Sequence, residues 1–164
     1  MKIRALALIL FSTTAFAQTE EAWKGAPDPS RFHVGALAGL GIMDSSAGFE
    51  ILGTISKKIV DVGFAPDINN SVSMELQAGP LLIHSTTVFA YSTHLRWDFK
   101  KNVNWTFYAV AGLGGHITGA SLGSRFLLFP RFGAGLIRHL GLNAPALRLE
   151  LSHERISLGG IWGF

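Results

Sequence analysis

The chain has 164 residues, enough for one domain, with 48% apolar residues, 15% charged residues, 19 glycines and no cysteine. The absence of thiols excludes a disulfide framework and thiolate chemistry. Mean hydropathy is positive, yet no apolar run after the N-terminus approaches the ~20 residues of a transmembrane helix. Apolar residues spread over alternate positions, with sparse charge, suit a barrel that crosses a membrane by strands.

The chain begins with a processing segment. Lys2 and Arg4 precede a short apolar stretch from Ala5 to Phe11, and Ala15-Phe16-Ala17 reads as a cleavage site. Residues 1–17 are therefore expected to be a cleaved secretory signal, followed at 18–30 by a periplasmic lead-in carrying Pro27 and Pro29. Cleavage leaves 12 basic against 11 acidic residues, net +1, so the high isoelectric point is no sign of a nucleic-acid partner.

From residue 31 the period is two throughout, the signature of strands with one apolar face. Phe32 to Ile42 forms the first strand, and Asp44-Ser45-Ser46 a tight turn. Phe49 to Ser56 forms the second, with a blurred extension toward Phe64. Val72 to Gly79 forms the third, and Pro80 is expected to weaken its end. His84 to Thr86 links it to the fourth, from Thr87 to Phe99, where Phe89, Tyr91, Thr93, Leu95, Trp97 and Phe99 oppose Val88, Ala90, Ser92, His94, Arg96 and Asp98. The polar run from Lys100 to Asn104 turns the chain into a fifth strand, Trp105 to about Thr118. The loop Gly119–Ser124 leads to the sixth, Leu128 to Leu136. The seventh covers Leu147 to Ser152. The last carries Ile156, Leu158, either Gly160 or Ile161, Trp162 and Phe164 on one face. The fold class is thus all-β, an eight-stranded antiparallel up-and-down transmembrane barrel over residues 31–164, with both ends on one side.

Alternation alone does not say which face meets lipid, because a soluble lipocalin-like barrel is apolar inside. The polar faces here are rich in Gly, Ser and Thr, a poor soluble surface. Trp97, Phe99, Trp105 and Phe107 cluster beside a turn, as an interfacial girdle does. The terminal Trp162-Gly163-Phe164 resembles the aromatic C-terminal signature of outer-membrane barrels, which implies handling by the barrel-assembly machinery. The inverted arrangement puts Glu50, Glu75, Gln77, His94, Arg96, Asp98, Arg131, Arg148 and Glu150 inside. An eight-stranded barrel has room only for side chains, so these are expected to pair into a plug.

The glycines fall at strand period rather than in a phosphate loop, and the six His have no metal-ligand spacing. One stretch points to chemistry. Ala111-Gly112-Leu113-Gly114, Leu122-Gly123-Ser124 and Arg131-Phe132-Gly133-Ala134-Gly135-Leu136 resemble the second half of the lipid A 3-O-deacylase (PagL-type) family over about Trp105 to Arg148. The resemblance implies a His base and a Ser nucleophile in a His-x-Ser-Asn stretch on the penultimate strand, and a later Glu. The stretch here reads Leu151-Ser152-His153-Glu154-Arg155-Ile156-Ser157, with no His-x-Ser and no acid after Ser157. His153 and Arg155 continue the lipid-facing parity of Leu147, Leu149 and Leu151.

The expectation is an outer-membrane barrel with a filled interior and no catalysis of its own, structural or binding lipid or a partner. Its partners are outer-membrane lipid and lipopolysaccharide, with no cofactor, metal or nucleic acid, and its oligomeric state is left open. The alternative is a lipid A deacylase relative, with His153, Ser157, Ser152 and Glu154 as its catalytic candidates.

Overall fold

The computed structural model describes residues 29–65, 68–84, 86–119, 125–141 and 144–164. The expected signal segment, most of the lead-in and the Leu122–Ser124 piece lie outside them. Eight strands follow one another: β1 Phe32–Met43, β2 Ser46–Val60, β3 Asn70–Ile83, β4 Thr86–Lys100, β5 Trp105–Ile117, β6 Phe126–His139, β7 Ala146–Ser152 and β8 Arg155–Gly163. Each pairs antiparallel with the next, and β8 returns to β1 to close a barrel. The two ends of the chain meet on one rim, where Phe164 N donates to Phe32 O and Arg31 N to Phe164 O, both at 2.8 Å. This terminal rim also holds the β2–β3, β4–β5 and β6–β7 connections. The far rim holds the other four.

The period of two in the sequence becomes an inside-out section. Leu40, Ile55, Leu76, Leu95, Leu113 and Leu158 stand exposed on the outer wall. Glu50, Glu75, Gln77, His94, Arg96, Arg131, Arg148 and Glu150 are buried within. The inner face is not all polar. Leu37, Leu52, Leu81, Ile83, Val88 and Ala90 pack together inside β1–β4, and Tyr108, Val110, Ile137, Ala146 and Ile161 inside β5–β8. For β8 this settles the sequence alternative: Ile161 faces in, and Trp162 and Phe164 remain exposed.

Two expectations about boundaries give way. The second strand stops at Val60, short of Phe64, and the third runs past Pro80 to Ile83. Pro80 has no N–H to donate, and Gly79 brings its backbone so close to Ile51 O that a Cβ would collide there. The β2–β3 ladder accordingly passes from Glu50↔Leu81 to Gly53↔Ala78. The strand persists because Pro80 still pairs with Phe89 on the β4 side. The β1–β2 turn is tighter than three residues. Met43 pairs with Ser46, and Asp44 and Ser45 have φ of 47° and 66°. Positive φ at both central residues is the primed geometry that matches strand twist in a hairpin.

Aromatics and cations gather on the terminal rim. Trp97 lies 4.8 Å from Phe99 and 5.9 Å, edge-on, from Phe64. Arg138 sits over Trp105 and Lys57 over Phe32. Arg31, Lys57, Lys101 and Arg138 are exposed there, whereas Arg125 is the exposed cation of the far rim among the described residues.

The wall is uneven at the far rim. β7 has seven residues and β6 fourteen. The last β6–β7 pair is Gly133↔Ser152, so Phe126 to Phe132 continue upward held only by β5. On the other side β1 carries Ile42 and Met43 past its last β8 partner, Gly41↔Arg155. The short β7–β8 hairpin is therefore the floor of a notch between β6 and β1.

Candidate functional site

Inside the barrel the charged side chains form one alternating chain. Asp98 pairs with Arg96, Arg96 with Glu75, Glu75 with Arg148, Arg148 with Glu150, Glu150 with Arg131, Arg131 with Glu154, Glu154 with Arg155 and Arg155 with Glu50. Every arginine thus touches carboxylates on both sides. Neutral groups take up the remaining capacity. Gln77 accepts from Arg131 and Arg155 and donates to Glu75. Tyr108 accepts from Arg148 Nε at 2.9 Å and donates to Leu149 O at 3.0 Å. His94 Nε2 lies 3.1 Å from Glu75. Charges buried this deeply persist only when paired and hydrogen-bonded, and all the residues expected in the plug are part of this arrangement.

Arg155 corrects the sequence reading. It was expected on the outer face, after His153, but it is 2% exposed and points inside. The reason is the connection between the strands. Leu151 and Ile156 are both outward and register partners, five positions apart, so the turn reverses the parity carried up β7. Counting back from Ile156 and Leu158 would have placed Arg155 and Ser157 inside.

The four candidate catalytic residues divide accordingly. His153 stands on the far rim with its side chain 53% exposed, 3.4 Å from Glu154 Oε2. Glu154 is buried and tied to Arg131 and Arg155. Ser152 closes the turn: Arg155 N donates to its Oγ at 3.2 Å, and the Oγ donates to Arg155 O at 3.4 Å. Ser157 is buried on the inner face, and its Oγ has no hydrogen-bond partner. The structure brings His153 and Glu154 together. It links neither serine to His153 by a hydrogen bond.

Around His153 and Glu154 the notch gathers residues that the sequence did not single out as a site. Ile42, Met43, Asp44, His116, Leu127, Leu128, Phe129, His153 and Glu154 line a cleft of about 330 Å³. Phe129 turns inward from β6 and lies between His116, ring centres 5.2 Å apart, and His153, 6.1 Å away edge-on. Gly114 makes room for it, since a Cβ there would stand 2.7 Å from the Phe129 ring. The signal for this cleft is a mismatch of hairpin lengths, which only the register exposes.

No protein-family model and no curated protein matches the chain. Among solved structures, one that matches is the crystal structure of Ail, the attachment invasion locus protein of Yersinia pestis, in complex with the heparin analogue sucrose octasulfate. The TM-score is 0.54 at 15% identity, over 82% of this chain and 96% of that one. This chain shares the barrel fold of Ail. At that identity the likeness to Ail extends to the fold and not to residues. The resemblance to the deacylase family over Trp105 to Arg148 has no support from these matches.

Proposed function

We propose that the protein is an outer-membrane barrel, inserted with its terminal rim toward the periplasm, which binds lipid or a partner at the far rim without catalysing a reaction. The observation that carries this reading is the inside-out section. Large apolar side chains cover the outer wall while paired arginines and carboxylates fill the interior. In water such an outer wall would be a continuous apolar surface far larger than a monomer keeps exposed. In a bilayer it is the lipid-facing band, and closure of the sheet satisfies the backbone there. The cluster of Trp97, Phe99 and Trp105 supports an interfacial girdle. The likeness to Ail supports the same location. Export by residues 1–17 and assembly guided by Trp162 and Phe164 belong to this reading. Its lipid partners would be those of the outer membrane, lipopolysaccharide included.

The ligand bound to Ail is a polyanion, which cations would have to hold. Among the described residues the far rim offers Arg125 as an exposed cation, so the reading does not include polyanion binding.

Fractionation and gel mobility test the proposal. The expected result is recovery in the outer-membrane fraction and, in detergent, a band that shifts on heating as a folded barrel opens. A water-soluble periplasmic monomer would overturn it.

A second reading, a lipid A acyl hydrolase, draws on one observation: exposed His153 is paired with Glu154 above the cleft. Ser152 or Ser157 would have to reorient to serve as nucleophile. Comparing lipid A masses from cells with and without the protein decides the matter. Unchanged lipid A is expected. Loss of one acyl chain, abolished by His153→Ala, would make the protein an enzyme.

A further inference from the structure

We propose that the notch between β6 and β1 is a lateral binding site for one acyl lipid that carries a hydrogen-bond donor, hydroxyl or amide, at the base of its chain. The inference rests on the membrane reading above and names the ligand class and the place.

The first argument is height. On one flank of the notch the outer wall continues with exposed Phe126, Leu128 and Phe132, on the other with Ile42, and below it with Ile156. The opening thus cuts through the apolar band rather than standing above it. A chain in the surrounding lipid can enter sideways without leaving hydrocarbon.

The second argument is the unpaired strand edge. Phe126 to Phe132 of β6 lack a β7 partner. Backbone groups at membrane depth require partners, because no water is there to supply them. Pro130 sits on this stretch, and a proline brings no N–H to leave unpaired. The edge still presents carbonyl and amide groups that an amide or hydroxyl next to an acyl chain would meet.

The third argument is a buried carboxylate oxygen that accepts no hydrogen bond. Glu154 is 5% exposed and lines the cleft, and its Oε2, though 3.4 Å from His153 Nε2, accepts no hydrogen bond. Buried acceptors in that state are costly. A donor held at the cleft floor would complete it. Leu127 and Phe129 turn inward from β6 and Ile42 flanks the opening, with His116, His153 and Asp44 completing the lining. The lining thus suits both parts of an amphipathic molecule, with apolar side chains from β6 and β1 and polar groups that include the Glu154 carboxylate.

The probe is N-dodecanoyl glucosamine, an acyl amide with hydroxyl groups, titrated into the full chain in phosphatidylcholine nanodiscs and followed by methyl NMR. The expected result is saturable shifts at Ile42, Leu127 and Leu128, with Leu76 and Leu95 on the distant wall unmoved. Methyl dodecanoate, which has no donor, should leave these methyls unsaturated over the same range. Glu154→Ala should weaken binding about ten-fold, the equivalent of one charge-assisted hydrogen bond. Because Glu154 also pairs with Arg131 and Arg155, Leu127→Trp serves as a second variant. It fills the cleft without touching that pairing and should abolish the saturable shifts. Shifts spread evenly over the outer wall, or equal response to both probes, would overturn the site while leaving the membrane reading intact. Failure to enter nanodiscs at all would instead overturn the membrane reading.

Discussion

Arg148 on β7 grips Glu75 on β3 with two parallel hydrogen bonds, Nη1 to Oε2 at 2.8 Å and Nη2 to Oε1 at 2.7 Å. In a barrel of eight strands these two are as far apart as strands can be, four steps in either direction. A fork of this kind therefore crosses the whole lumen. The same carboxylate receives Arg96 Nη1 at 2.7 Å and Gln77 Nε2 at 2.8 Å.

Removing Glu75 should expose the cost of that arrangement. Glu75→Leu leaves Arg148 and Arg96 buried beside each other with one carboxylate fewer, and the expected loss is about 3–5 kcal/mol, the range for breaking a buried pair. Chemical unfolding in detergent micelles measures it. The double variant Glu75→Leu/Arg148→Met should recover much of the loss, because replacing both partners leaves no stranded charge.

A lumen crossed by arginine forks carries no current. Reconstituted into a planar bilayer, the protein is expected to give no conductance steps above the bare membrane, as for other barrels of this strand number with filled interiors. Regular open-channel steps from the purified protein would contradict the filled interior.

The outer wall makes a position-dependent prediction. Leu76 lies midway along β3 and is exposed on the outer face. Leu76→Arg should cost about 2–4 kcal/mol in a bilayer, the range for a cation at the midplane, and Ile117→Arg, at a strand end, about 0–1 kcal/mol. Refolding into vesicles across a denaturant series checks the difference. Equal costs at the two positions would place the band elsewhere.

On the terminal rim Asn70 staples the β2–β3 connection. Its Nδ2 donates to Ala65 O at 2.7 Å and Ile68 O at 2.6 Å, and its Oδ1 accepts from Trp97 Nε1 at 2.8 Å. Asn70→Ala removes the partner of the Trp97 donor and of the Ile68 carbonyl and leaves Ala65 O only its bond from Ile68 N. A loss of about 1–3 kcal/mol is expected, together with a change in Trp97 emission. Unchanged emission would mean that the indole bond is not kept in the membrane.

Strand number, closure and the inner and outer faces were legible because one periodicity, repeated eight times, controls them. Phe89, Leu95 and Phe107 could not face outward without turning His94, Arg96 and Tyr108 inward. What escaped was whatever a turn or a neighbour decides. The parity of Arg155 depends on the length of the connection after Leu151. The persistence of β3 through Pro80 depends on having β4 as a second partner. The apolar interior of Leu37, Leu52 and Leu81 was present in the alternation, but its packing follows from register, which sets Leu37 opposite Leu52. His116 and Phe129 share a cleft only because β7 is half as long as β6.

The uneven distribution of surface cations between the two rims bears on how such a barrel reaches its final state. When a barrel inserts from the terminal rim, all four far-rim hairpin tips must be carried through hydrocarbon, and each cation adds about 2.5–3.5 kcal/mol at its centre. Under the proposed insertion, Arg31, Lys57, Lys101 and Arg138 sit on the rim that stays behind. Entry in this direction meets a low barrier, and exit or inverted entry a high one. In a membrane, the charge asymmetry would thus favour one direction of entry over its inverse, as a ratchet does.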